Sequence, residues 1–144
     1  MKSPNTLSLT IWIKILRISI GIIYIWFGVL NFFHGVSPAE GLAKDTIEML
    51  TLNLIPSSVS ILLLAIWETA AGLLLISGYF LRMAIAVVLV HMACTFTPLL
   101  FFPDLSFSAS PYAFTLIGQY IMKNIVIVSA LMVIYKFEKE KKDQ

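Results

Sequence analysis

Glu68, His91 and Lys123 are ionisable side chains set deep inside three separate apolar runs. A carboxyl, an imidazole and an ammonium can exchange hydrogen bonds and protons with each other or with a bound molecule, and imidazole does so near neutral pH. Polar neighbours stand at helical spacing from them. Thr95 comes four residues after His91 and Gln119 four before Lys123, so each lies one turn away on the same helix face. Asn124 follows Lys123, and Asn31 closes the first apolar run. This set suits a quinone headgroup, whose carbonyls need donors and whose reduction takes up protons. It serves another small polar molecule equally well.

Such residues must be carried by bilayer-crossing elements. The run SVSILLLAIWETAAGLLLIS, residues 58–77, covers ~30 Å as a helix, the thickness of a hydrocarbon core. A mid-membrane acid costs roughly 2.5 to 3.5 kcal/mol, whereas each Leu or Ile returns roughly 0.3 to 0.6. The run holds nine of these, so it inserts despite Glu68. Composition agrees: 144 residues, 59% hydrophobic, 12% charged and a mean hydropathy of +0.92 exclude an ordinary soluble domain.

The sequence therefore predicts an all-α integral membrane four-helix bundle in one domain, with spans at about 12–33, 58–77, 82–100 and 112–135. The first span lacks the small-residue ending of a cleaved signal peptide and reads as retained. Between the first two spans, Ser37-Pro38-Ala39-Glu40 matches a capping box with proline at the first helical position. A short interfacial helix should follow over about 38–53, with Glu40, Lys44 and Glu48 as an i, i+4 ladder. Gly78 to Leu81 is too short for anything but an antiparallel link, and Pro98 should bend the far end of the third span. Residues 101–111 read as a loop, and the hydrophilic tail 136–144 should fray.

Basic residues set the expected orientation. With both termini cytoplasmic, that side holds Lys2, Lys14, Arg17, Arg82, Lys136, Lys139, Lys141 and Lys142, against Lys44 on the other. Counted from the predicted span ends, Glu68, His91 and Lys123 share a level at ~13 to 17 Å of depth. Asn31 approaches them from the first helix.

Two accounts of this polar centre stand side by side. In the first it is interhelical glue: a Glu68–Lys123 ion pair with His91 and Gln119 satisfying what remains. In the second it is a ligand or proton site, because ionisable groups within spans mark pathways and sites. His34, at the membrane edge, reads as a solvated or capping histidine. Haem held by both histidines of one chain is disfavoured by their ~13 Å difference in depth. No zinc, phosphate-loop or triad spacing appears, so no metal is expected. Cys94 is the sole cysteine and reads as a buried, inert thiol. The mixed-charge tail gives no nucleic-acid signal.

Gly21, Trp26-Phe27-Gly28 and Asn31-Phe32, then Trp67-Glu68 followed by Gly72 to Gly78, then Arg82, and lastly Gly118-Gln119-Tyr120 with Lys123-Asn124, together resemble the DoxX family of small four-helix membrane proteins over nearly the whole chain. Many relatives carry a basic residue where this chain has Asn31. The resemblance implies a bacterial inner-membrane protein. Some relatives look like small subunits or helpers of membrane redox systems, including thiosulfate to quinone electron transfer. The expected role is thus an anchor or quinone-side subunit of a redox partner, with no intrinsic cofactor and quinone as the candidate ligand. The alternatives are a small-molecule or proton transport module, which would need a homo-oligomer, and a purely structural membrane protein.

Overall fold

The computed structural model describes residues 4–37, 39–109 and 112–142. Its long helices are α1 (Pro4–Leu30), α3 (Ser57–Ser77), α4 (Leu81–Thr95) and α7 (Leu116–Lys142). Shorter elements lie between them: α2 (Glu40–Leu50), α5 (Pro98–Phe101), α6 (Pro103–Ser106) and a two-stranded hairpin of β1 (Phe107–Ala109) and β2 (Ala113–Phe114). Four stretches are long and apolar enough to cross a membrane: Ser8–Leu30, Val59–Ser77, Leu81–Phe101 and Leu116–Lys141. The chain is an all-α multi-pass membrane protein.

The tightest contact is between α1 and α3. A Cβ at Gly72 would lie 2.7 Å from the Gly21 carbonyl oxygen and 2.8 Å from the Ile25 nitrogen, and a Cβ at Gly28 would lie 2.7 Å from the Thr69 nitrogen. Small residues therefore let the two backbones touch, which is how helices associate where apolar burial gives no preference over lipid. These pairings, with Arg17 against Gly78, fix an antiparallel register. In that register the last turn of α1 stands beside the middle of α3. Beyond it, α2 packs on the remaining half of α3.

Helix α3 stops at Gly78, whose φ of +79° closes a left-handed cap with its N–H on the Leu74 carbonyl, 2.9 Å away. Helix α4 follows at once and runs antiparallel to α7, held by Arg82 at one end and an Asn124–Thr95 hydrogen bond further along. The start of α1, the end of α7 and the α3–α4 turn thus occupy one end of the bundle, the termini end. The α2 segment and the β hairpin occupy the other, the hairpin end.

Several boundaries differ from expectation for local reasons. Helix α1 ends at Leu30, three residues early, because Asn31 to Val36 fold into turns with Gly35 at φ +76°. The third span breaks at Phe96–Thr97: Pro98 cannot donate to the Cys94 carbonyl, and the Thr97 hydroxyl takes that acceptor at 2.7 Å. The expected 101–111 loop is instead α6 and the hairpin, with the Phe107 and Phe114 rings 4.9 Å apart. Helix α7 starts four residues late, at an N-cap where the Thr115 hydroxyl accepts the Gly118 N–H at 3.1 Å. It then continues to Lys142 and does not fray at 136, since Arg82 binds the Glu138 and Lys139 carbonyls and Lys136 reaches Glu140 at 3.9 Å. Pro38 lies outside the described residues. Ser37 makes no side-chain cap, and α2 begins at Glu40.

The sealed core gathers in the termini-end half. Ile13, Ile20, Leu75, Leu81, Ile85, Val88, Leu131 and Ile134 are all buried there and pack together. Cys94 is half-buried, not fully enclosed.

Candidate functional site

Glu68 lies on the centre of the inward stripe of α3. Ile61 one heptad before it and Leu75 one heptad after it are both sealed, yet Glu68 stays half-buried. Its carboxylate Oε2 accepts a hydrogen bond from Asn31 Nδ2 at 2.8 Å, and Asn31 is buried. Two turns earlier on the same face of α1, the buried Tyr24 places its hydroxyl 3.1 Å from His91 Nδ1. The Tyr24 and His91 rings meet edge-on with centroids 5.8 Å apart. Either group can donate in this bond, according to which imidazole nitrogen carries the proton.

His91 and Thr95 are half-buried on α4, one turn apart. The Thr95 hydroxyl donates to the Met92 carbonyl at 2.7 Å and accepts from Asn124 Nδ2 at 3.2 Å. Four helices are therefore tied by polar side chains near mid-span: α1 to α3 through Asn31–Glu68, α1 to α4 through Tyr24–His91, and α4 to α7 through Thr95–Asn124.

Lys123 and Gln119 stand differently. Among the described residues the ion pairs are His34–Glu40, Lys44–Glu40 and Lys136–Glu140, so the expected Glu68–Lys123 pair does not form. Lys123 is exposed, its ammonium 4.0 Å from the centroid of the Tyr120 ring, a cation–π contact. Gln119 is exposed as well. Lys123 also sits only seven positions after the first residue of α7, shallower than the eleven that a start at Tyr112 implied.

The exposure of Lys123 is nonetheless not that of an ordinary outer face. At intervals of four, seven and eleven residues it shares a helix stripe with Ile127, Ala130 and Ile134. Ile134 is 0% exposed, and Ile127 and Ala130 pack against the core. Toward the hairpin end the neighbours of this stripe open up: Tyr120 is 48% exposed and Leu116 67%. Side chains are sealed in the hairpin-end half too, among them Ile61, Ala65, Ser106 and Ile121. Glu68, His91 and Thr95 form a half-buried polar cluster with Asn31, Tyr24 and Asn124, while Lys123, Tyr120 and Gln119 stand exposed on α7.

The DoxX family model matches residues 12–102. The chain belongs to the DoxX family. The matched region of this DoxX chain takes in Tyr24, Asn31, Glu68, His91 and Thr95 and stops before α7, so Gln119, Lys123 and Asn124 lie beyond it. No match is found among curated proteins or among solved structures.

Tyr24 is the site residue that sequence reasoning missed. Its signal was its position seven residues before Asn31, on the stripe that also carries Ile13 and Ile20. Outside the spans, His34 is held by Glu40 at 3.4 Å, and Glu40 also accepts the Gly35 N–H and the Lys44 ammonium, each at 2.6 Å.

Proposed function

We propose that this chain is a quinone-side subunit or anchor of a membrane redox system, with the polar cluster at Glu68 and His91 as the place where a quinone headgroup exchanges hydrogen bonds and protons. The observation that carries this reading is the paired arrangement within that cluster. Asn31 orients the Glu68 carboxyl, Tyr24 orients the His91 ring, and both titratable groups are half-buried and not sealed. A quinone carbonyl needs a directed donor, and its reduction needs a nearby proton source; an oriented imidazole and carboxyl supply both. Thr95 and Asn124 add hydrogen-bonding capacity, and Lys123 and Gln119 stand further out on α7. On this reading electrons come from a protein partner. In this reading the protein sits in a bacterial inner membrane with both termini in the cytoplasm.

The transport alternative finds less support. Leu75, Ile85, Val88, Leu131 and Ile134 close the termini-end half, so one copy offers no continuous path. The test is binding of a short-tailed quinone to the purified protein, followed by quenching of the tryptophans, of which Trp67 adjoins Glu68. Glu68→Gln and His91→Leu should each weaken binding by about tenfold, the loss of one charge-assisted or directed hydrogen bond. Unchanged affinity in both variants overturns the assignment. Quinone-independent flux of small solutes in proteoliposomes would favour transport.

A further inference from the structure

The termini end carries a second constellation, separate from the Glu68–His91 cluster. Gly78, Leu81 and Arg82 at the α3–α4 turn face Glu138 and Lys141 of α7 across an open cavity of about 330 Å³. Arg82 donates from Nη2 to the Glu138 carbonyl at 2.7 Å and to the Lys139 carbonyl at 3.0 Å. Both bonds use the same nitrogen, so Nη1 and Nε of the fork are spent on neither. Arg17 reaches the same turn from α1: its guanidinium lies against Gly78, its Nη2 donates to the Ile76 carbonyl at 3.4 Å, and its Nε is buried without a partner. Among the described residues, Arg17 and Arg82 thus stand at the turn and Lys141 lines the cavity, with Glu138 as the carboxylate that lines it.

We propose that this cavity binds the phosphate of an anionic membrane lipid. A planar guanidinium with free donors and a flexible ammonium on the opposite wall match a group that presents several anionic oxygens in a small volume. The surroundings favour a lipid over a free ion. The site lies where two spans end, at Ser77 and Leu81, and Tyr79 and Phe80 beside it are 74% and 75% exposed. Exposed aromatic rings at a span end belong to the headgroup layer. The lipid phosphate would lie between the α3–α4 turn and the last turns of α7, and its chains would run past the exposed side chains of Phe80 and Met83. It would clamp the α3–α4 turn to α7 at the end where Arg82 already holds α4 to α7.

The experiment is native mass spectrometry of the full chain in detergent after titration with phosphatidylglycerol or with phosphatidylcholine. The wild type should retain phosphatidylglycerol in preference to phosphatidylcholine. Lys141→Gln and Arg82→Lys should each cut that retention by about tenfold, because the first removes a charge and the second keeps the charge but loses the fork. Lys136→Gln makes the same charge change on α7 outside the cavity, where Lys136 pairs with Glu140, and should leave retention unchanged. If Lys136→Gln is as damaging as Lys141→Gln, the effect is the general basic field and the site is refuted. Equal retention of the two lipids, or displacement of phosphatidylglycerol by millimolar inorganic phosphate alone, refutes it too. Arg82→Lys could weaken the fold by disturbing the α7 carbonyls, so the Lys141→Gln to Lys136→Gln comparison decides.

Discussion

Glu40 shows how a single side chain can hold a connection in place. It is the buried first residue of α2, and its carboxylate accepts from Lys44, from the Gly35 N–H and from His34. The Lys44 bond, then the Gly35 bond, hold its pKa down from 4.5 to about 2, with desolvation opposing them and His34 assisting. A depressed carboxylate stabilises the fold above its unfolded pKa and loses that contribution as pH falls through its folded pKa. The latch should therefore be intact at pH 6 and weaken progressively from about pH 4.5 toward about pH 2. Thermal unfolding of the wild type in detergent should lose stability over that window more steeply than Glu40→Gln; parallel curves would show that the latch contributes nothing. The sequence made Glu40 and Lys44 legible as an i, i+4 pair, but not the Gly35 contact, which depends on where α1 stops. Glu68 was legible for a different reason, since a lone acid in an apolar run needs a partner. The nature of that partner was not: Lys123 offered the matching charge, whereas the buried amide of Asn31 had the matching position.

Among the elements, α1 and α3 depend on one another most closely, and glycine sets the distance between them. Gly72→Ala places a methyl against the backbone of Gly21 and Ile25, which cannot yield as a flexible side chain would. The helices must separate, and a loss of about 1–3 kcal/mol is expected, read as a lower midpoint in thermal or denaturant unfolding. Gly41→Ala is the contrast: nothing lies within 4 Å of the added atom. It sits in the first turn of α2, so it should stabilise by about 0.5–1 kcal/mol. If the two substitutions behave alike, close backbone packing is not what holds α1 to α3. The number and approximate placement of the spans could be read from apolar length alone, because bilayer thickness imposes it. The ends could not. The start of α7 is set by the Thr115 cap and by the hairpin that precedes it, and an apolar run that continues through Tyr112 to Phe114 hides both. The length of α7 beyond Tyr135 is set by Arg82, a contact more than fifty residues distant in sequence.

For the whole molecule, one stripe of α7 is unevenly covered: Ile134 is sealed, whereas Tyr120 and Leu116 toward the hairpin end are exposed. Helical periodicity alone predicts that the α7 stripe through Lys123, Ile127, Ala130 and Ile134 is uniformly inward; the difference along its length comes from which neighbours are present. This yields a prediction about water. In a Cys94→Ala background, Lys123→Cys and Tyr120→Cys should react with a membrane-impermeant maleimide, whereas Leu131→Cys and Ile134→Cys should stay protected until the protein is unfolded. The orientation proposed above, with both termini in the cytoplasm of a bacterial cell, adds a direction: on that proposal the reactive positions should be labelled from the periplasmic side of sealed vesicles, as should Lys44 by an amine reagent. Thiolates react and thiols in lipid do not, so the result separates a hydrated crevice from a stripe that merely faces acyl chains. Protection at both Lys123→Cys and Tyr120→Cys would place this wall of the bundle in lipid. Glu68 and His91 would then lack the aqueous route that the proposed proton exchange requires.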